Sequence, residues 1–116
     1  MRQTELHSLF QSLADPTRLR ILNLLLKGEL CVGDIVKILS LPQPTVSRHL
    51  GYLEKRHWVK KRKTGLWNFY SLHPATRKGT QRKLLNCLRS FFNAEKRMKE
   101  DRTKIQKCRK FESCCP

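Results

Sequence analysis

Acidic residues are scarce in this chain: 9 Asp and Glu stand against 25 Lys and Arg in 116 residues, a formal charge of +16. A surface so one-sided repels itself, which excludes an acidic solvating protein and points to a polyanionic partner. Long apolar runs are also missing. The longest is Leu24-Leu25-Leu26, with Ile21-Leu22 nearby, so no segment is expected to span a membrane. No leader-like segment is read at the start of the chain, so a cytoplasmic protein with mostly reduced thiols is expected. Paired carboxylates, a phosphate-cradling glycine loop and a nucleophile–base arrangement are absent too, and no enzymatic activity is expected. The length suits one small domain with a thin core, for which dimerisation is a common remedy.

The positive charge is clustered. Residues 55–63 read Lys-Arg-His-Trp-Val-Lys-Lys-Arg-Lys, six cations without an acid. Around that cluster the periodicity predicts mainly helix. Leu6, Leu9, Phe10 and Leu13 mark a helix over 4–13. Asp15 caps a second helix that starts at Pro16 and runs to about Lys27, burying Leu19, Leu22 and Leu26, with Ile21 and Leu25 widening the face; Gly28 ends it. After a short extended piece at 29–32 come a helix from Gly33 to Leu39, a turn at Ser40-Leu41-Pro42, and a helix from Pro44 to Arg56 with Val46, Leu50 and Leu53 inside. Two strands, 58–63 and 67–72, flank a turn at Thr64-Gly65. Beyond Pro74 a last helix carries Leu84, Leu88, Phe91, Glu95 and Met98 on one face, widened by Leu85 and Phe92. From about Lys99 the chain is polar and basic, and partial disorder is expected there without ligand. The expected organisation is one folded domain over 1–98 and a cysteine-containing tail over 99–116.

Helix, short turn and a second helix with a polar start make a helix-turn-helix, whose second helix enters the major groove. Gln43, Thr45, Ser47, Arg48 and His49 are the candidate readers there. Gln suits adenine, Arg suits guanine, and Ser or Thr serve bases or phosphates. The basic hairpin becomes a wing, with Lys61, Arg62 and Lys63 on phosphate or in the minor groove.

Four stretches in order carry a family resemblance: Leu13-Ala14-Asp15-Pro16-Thr17-Arg18-Leu19-Arg20-Ile21-Leu22, Glu29-Leu30-Cys31-Val32-Gly33-Asp34-Ile35, Gln43-Pro44-Thr45-Val46-Ser47-Arg48-His49-Leu50, and Gly65-Leu66-Trp67-Asn68-Phe69-Tyr70-Ser71-Leu72. Over residues 6–73 the chain resembles the ArsR/SmtB family of metal-responsive repressors. The resemblance implies an α+β, mainly α, winged helix-turn-helix, a homodimer through its first and last helices. It also implies repression at double-stranded operator DNA that ends when an effector binds.

The chain departs from two known effector sites of that family. Where arsenite repressors often carry Cys-Val-Cys-x-x-Cys, only Cys31 is present, with Gly33 and Val36 in place of the other thiols. The zinc site on the last helix needs histidine, yet His7, His49, His57 and His73 all precede it. Cys31 reads as a small buried hydrophobe and Cys87 as a packed thiol of the dimer helix. Cys108, Cys114 and Cys115 remain. Three thiolates suit trivalent arsenic or antimony, and some members of the family place three C-terminal thiols in such a site. Lys104, Lys107, Arg109 and Lys110 favour the thiolate. On one unbroken helix Cys108 and Cys115 would lie roughly 10 Å apart along the axis, so the tail must fold back or reach the other subunit. The expected effector is As(III) or Sb(III), as arsenite, antimonite or methylarsenite. The alternative is a redox- or persulfide-sensing repressor that uses Cys31 and Cys87.

Overall fold

The structure, a computed structural model, describes residues 2–108; Arg109, Lys110, Cys114 and Cys115 lie outside the described residues. Helices α1 (Gln3–Leu13) and α2 (Pro16–Leu25) are followed by strand β1 (Leu30–Cys31) and helices α3 (Val32–Leu39) and α4 (Gln43–Lys55). Strands β2 (Val59–Thr64) and β3 (Trp67–Leu72), a 3-10 turn at Pro74–Arg77, and helices α5 (Gly79–Ala94) and α6 (Lys96–Lys107) complete the chain. The sheet is antiparallel with order β1-β3-β2, and Leu30 pairs with Tyr70 while Val59 pairs with Leu72. The fold is mainly helical with a small sheet, a winged helix-turn-helix.

Local chemistry explains the boundaries. The Asp15 carboxylate accepts from the backbone N–H groups of Thr17 (2.8 Å) and Arg18 (3.2 Å), with Pro16 in the first turn, so α2 starts where the sequence predicts. Ser40 closes α3 in the left-handed region at φ 55°, and Pro42 precedes α4. Val46, Leu50 and Leu53 are fully buried, as the i, i+4, i+7 spacing requires. Beneath them lie Ile21, Leu22, Leu24, Ile35, Ile38 and Trp58.

Two expectations change. The last helix is not continuous: Glu95 leaves helical geometry (φ −79°, ψ 132°) and its carboxylate caps α6 by accepting from Met98 N–H at 2.9 Å. Met98 is therefore buried inside the protomer and is no part of a stripe shared with Leu84, Leu88 and Phe91. The chain beyond Lys99 is helical through Lys107, and α6 crosses position 98/99. It packs on α2 and α3, with Met98, Asp101, Ile105 and Cys108 buried at helical spacing. That is why α2 buries Asn23 and Leu24 as well as Ile21, Leu22 and Leu25, while Leu19 and Leu26, expected inside, are only half-buried. Arg20 grips Asp101 through Nε–Oδ2 at 2.8 Å and Nη2–Oδ1 at 3.1 Å, and Asn23 Nδ2 donates to the Met98 carbonyl at 2.9 Å.

Candidate nucleic-acid interface and thiol positions

At the start of α4, Gln43, Ser47 and Arg48 are exposed and Thr45 is half-buried. They form one polar face above the apolar stripe. His49 departs from this group: it is 9% exposed and faces α2. Arg18 Nη1 lies 3.3 Å from His49 Nδ1. A guanidinium cannot accept, so Nδ1 is the unprotonated nitrogen and Nε2–H faces Asp15 Oδ1 at 3.9 Å. His49 thus anchors the candidate reader helix and is not aimed at base edges.

Arg18 is the hub that sequence reasoning missed. Its Nε and Nη2 donate to the carbonyls of Ser12 (2.8 Å) and Gln11 (2.9 Å) at the end of α1. Its guanidinium lies 4.1 Å from the centre of the Tyr52 ring, which Arg56 also covers at 3.6 Å. One side chain therefore joins the end of α1, the start of α2 and the middle of α4. The signal was in the sequence, since Arg18 stands inside the Asp-Pro-Thr-Arg stretch read only as a helix start.

Burial, above all, holds the His49 imidazole below the ordinary histidine range; Asp15 opposes this, and Arg18 and Arg48 add to it. His73 is displaced the same way by burial, His57 and Lys60. A folded-state value below the unfolded 6.5 means that the unfolded chain binds the extra proton. Stability is then complete above the unfolded value and is lost as pH falls through the folded one. Urea midpoints should fall between about pH 7.5 and about pH 5, above the carboxylate range. His49→Gln, which keeps an acceptor for Arg18, should flatten part of that loss. An unchanged slope in the variant would show that His49 does not carry it.

On the wing, Lys61, Arg62 and Lys63 are all exposed, but they are not equivalent. Arg62 donates to both Glu29 oxygens (Nη2 at 2.7 Å, Nε at 3.1 Å) and to Thr64 Oγ1 at 2.7 Å. It also lies over its cross-strand partner Phe69 at 4.5 Å. Arg62 braces the hairpin against the segment before β1, whereas Lys61 and Lys63 alternate to the other face. The Glu29 carboxyl is accordingly held below the usual range by its hydrogen bond with Arg62.

The thiols are dispersed among the described residues. Cys87 is exposed and free on α5. Cys31 is buried, pairs with Phe69 of the wing and is disulfide-bonded, so it is not joined to Cys87. Cys108 is buried at the end of α6, beside a cavity of about 200 Å³ that Lys37, Ile38, Ser40, Lys104 and Lys107 also line. Among the described residues no three His, Cys, Asp or Glu side chains converge as a metal set. Cys114 and Cys115 fall outside them.

Residues 15–61 match the family described as "Bacterial regulatory protein, arsR family". An HTH-type transcriptional regulator of Methanocaldococcus jannaschii is 52% identical over 63 residues, covering 53% of this chain and 71% of that protein. The chain belongs to the arsR family of bacterial regulatory proteins. The arsenical resistance operon repressor of Staphylococcus xylosus is 40% identical over 63% of this chain and 70% of its own. Among solved structures, the transcriptional repressor BigR from Xylella fastidiosa is similar over 81% of this chain and 92% of its own, with a TM-score of 0.67 and 32% identity. The arsR-family members that this chain resembles are DNA-binding transcriptional regulators. No helix among its described residues is long and apolar enough to cross a membrane.

Proposed function

We propose that this arsR-family repressor binds a two-fold operator as a homodimer and that, with all five of its cysteines reduced, it leaves that operator when a trivalent metalloid binds Cys108, Cys114 and Cys115. Gln43, Thr45, Ser47 and Arg48 face the major groove, while Lys61 and Lys63 reach phosphate. His49 and Arg62 position the helix and the wing. Leu6 and Phe10 on α1 and Phe91 on α5 are large apolar side chains left exposed, which supports a dimer face on those two helices.

The observation that carries the effector reading is the place of Cys108. It sits in the core beneath α6, against the end of α3, and Arg20 also donates to the Leu39 carbonyl there at 3.4 Å. Three lysines line the same cavity and suit an anionic sulfur ligand. Ser40-Leu41-Pro42 then leads directly into α4. Drawing Cys108 toward the tail thiols withdraws support from α3, and so from the reader helix. A coupling of ~1–3 kcal/mol corresponds to ~5–150-fold weaker operator binding. Names of relatives such as the staphylococcal arsenical resistance repressor agree with a metalloid.

The test is fluorescence anisotropy on operator DNA with arsenite, antimonite and zinc, for the native protein and a Cys108/Cys114/Cys115→Ser variant. Release by the trivalent metalloids in the native protein alone is expected. Release in both proteins would move the site elsewhere.

A thiol-redox repressor is the second reading, and the disulfide at Cys31 favours it. Cys31 ends β1 directly before α3 and pairs with the wing, so its oxidation state bears on both. Mass mapping of its partner after peroxide or sulfide treatment checks this, and a release that survives Cys31→Ser removes it.

A further inference from the structure

The wing ends in an apolar side chain. Leu66 is 95% exposed at the hairpin apex, and its neighbour Trp67 is 39% exposed. Thr64 and Trp67 form the last pair, which leaves Gly65 and Leu66 as a two-residue turn. Gly65 takes φ +60° and Leu66 does not take a positive φ, the pattern of a type II′ turn with glycine at its first central position. The turn therefore places a leucine side chain at the tip, beside a glycine that has none.

Its surroundings say what it meets. Residues 59–72 contain Lys60, Lys61, Arg62 and Lys63 and no acid. A protein partner held by hydrophobic contact needs a broader apolar patch than one leucine and a half-exposed tryptophan ringed by cations. Duplex DNA offers phosphates to the lysines and, where a base step opens, an apolar base face to the leucine. The minor groove is about 6 Å wide, so one side chain at the apex enters it while the lysines stay at the phosphate rims. The hairpin is also braced, because Arg62 is held by Glu29, Thr64 and the Phe69 ring. A pushed tip transmits force to the duplex and does not fold away.

We propose that Leu66 is a wedge that enters the minor groove beneath the wing and partly unstacks one base step, so that the protein selects operators that contain a deformable step at that position. This rests on the reading that the wing contacts DNA. Flexible pyrimidine–purine steps are the expected preference.

The experiment uses the full-length protein and duplexes selected by it from a random-sequence library, with 2-aminopurine placed singly along the flanks of the two-fold site. The native protein should raise 2-aminopurine fluorescence at one step under each wing. Leu66→Ala and Leu66→Lys should abolish that signal, and Leu66→Met should keep it. Leu66→Ala should weaken binding about tenfold to sites with a pyrimidine–purine step there, and much less to sites with a stiff step. Because Leu66 touches so little of the protein, these variants should unfold like the native chain. Tight native binding without unstacking, or a signal that persists in Leu66→Ala, removes the wedge and leaves the repressor reading intact. Failure of the native protein to select or bind any duplex removes both.

Discussion

Asp101→Ala should destabilise the protein by about 3–5 kcal/mol. Asp101 is fully buried, and its two oxygens accept from an Arg20 side chain that is 12% exposed. Removing the carboxylate leaves a guanidinium without its counterion inside the protein, and that uncompensated charge is the main cost. Two apolar substitutions together, Arg20→Met with Asp101→Leu, should recover most of the loss, since both desolvation penalties vanish with the pair. Urea unfolding at fixed protein concentration reads this as a shifted midpoint with an unchanged slope. A loss below about 1 kcal/mol would class the pair with surface ion pairs and show that α6 contributes little to the core. The functional consequence is as sharp. α6 carries Cys108 one turn beyond Ile105, so loosening the Arg20–Asp101 grip uncouples the thiol from α3. Asp101→Ala should therefore blunt any effector response routed through Cys108, even under conditions where the variant is folded.

This same helix shows where sequence reading stopped. The winged helix-turn-helix was legible because its signals are local. Asp15 and Pro16 start α2, the Val46/Leu50/Leu53 stripe sets the inner face of α4, and the alternation over 67–72 gives β3 to the residue. α6 gave no such signal. Its inner face is Met98, Asp101, Ile105 and Cys108, and an aspartate in the middle of a stripe reads as solvent-facing until its partner, 81 residues away, is known. The break before it is a single extended residue, Glu95, with no glycine or proline to mark it. At the reader helix, residue type gave the right face but not the exception. His49 looks like its polar neighbours, and only packing against Arg18 turns it inward. Arg62 likewise looks like Lys61 and Lys63 until Glu29, on the far side of α3 and α4 in the chain, is found beside it.

Three polar contacts thus bind the ends of this small core to its reader. Arg18 ties α1 and α2 to α4, Arg20 ties α6 to α2 and to the carboxyl end of α3, and Asn23 holds the first turn of α6. α1 and α5 carry the exposed apolar residues that suit a dimer face. Arg18 therefore connects the α1 side of the protomer to α4, and Arg20 connects α6 to the end of α3. Both connections end on or beside α4, the helix proposed to read DNA.

Operator affinity should collapse with salt. The chain carries +16 and a dimer twice that, +32. Counterion release makes the logarithm of affinity fall with the logarithm of salt by about 0.9 for each phosphate neutralised. With roughly three phosphate contacts from each protomer, the slope is about −5, and a fourfold rise in salt weakens binding about a thousandfold. The two faces of the wing make different contributions. Lys61 presents an exposed ammonium, so Lys61→Ala removes one contact per protomer and should make the slope shallower by about 2 for the dimer, equally on all sequences. Arg62 already faces a carboxylate at 2.7 Å, and neutralising it releases few counterions from DNA. Arg62→Ala should leave the slope nearly unchanged while weakening binding through a less ordered hairpin. Arg48→Ala should act differently again, relaxing the choice of base within the major groove. Equal slope changes for Lys61→Ala and Arg62→Ala would show that the Arg62–Glu29 pair opens on DNA and that the brace is not kept in the complex.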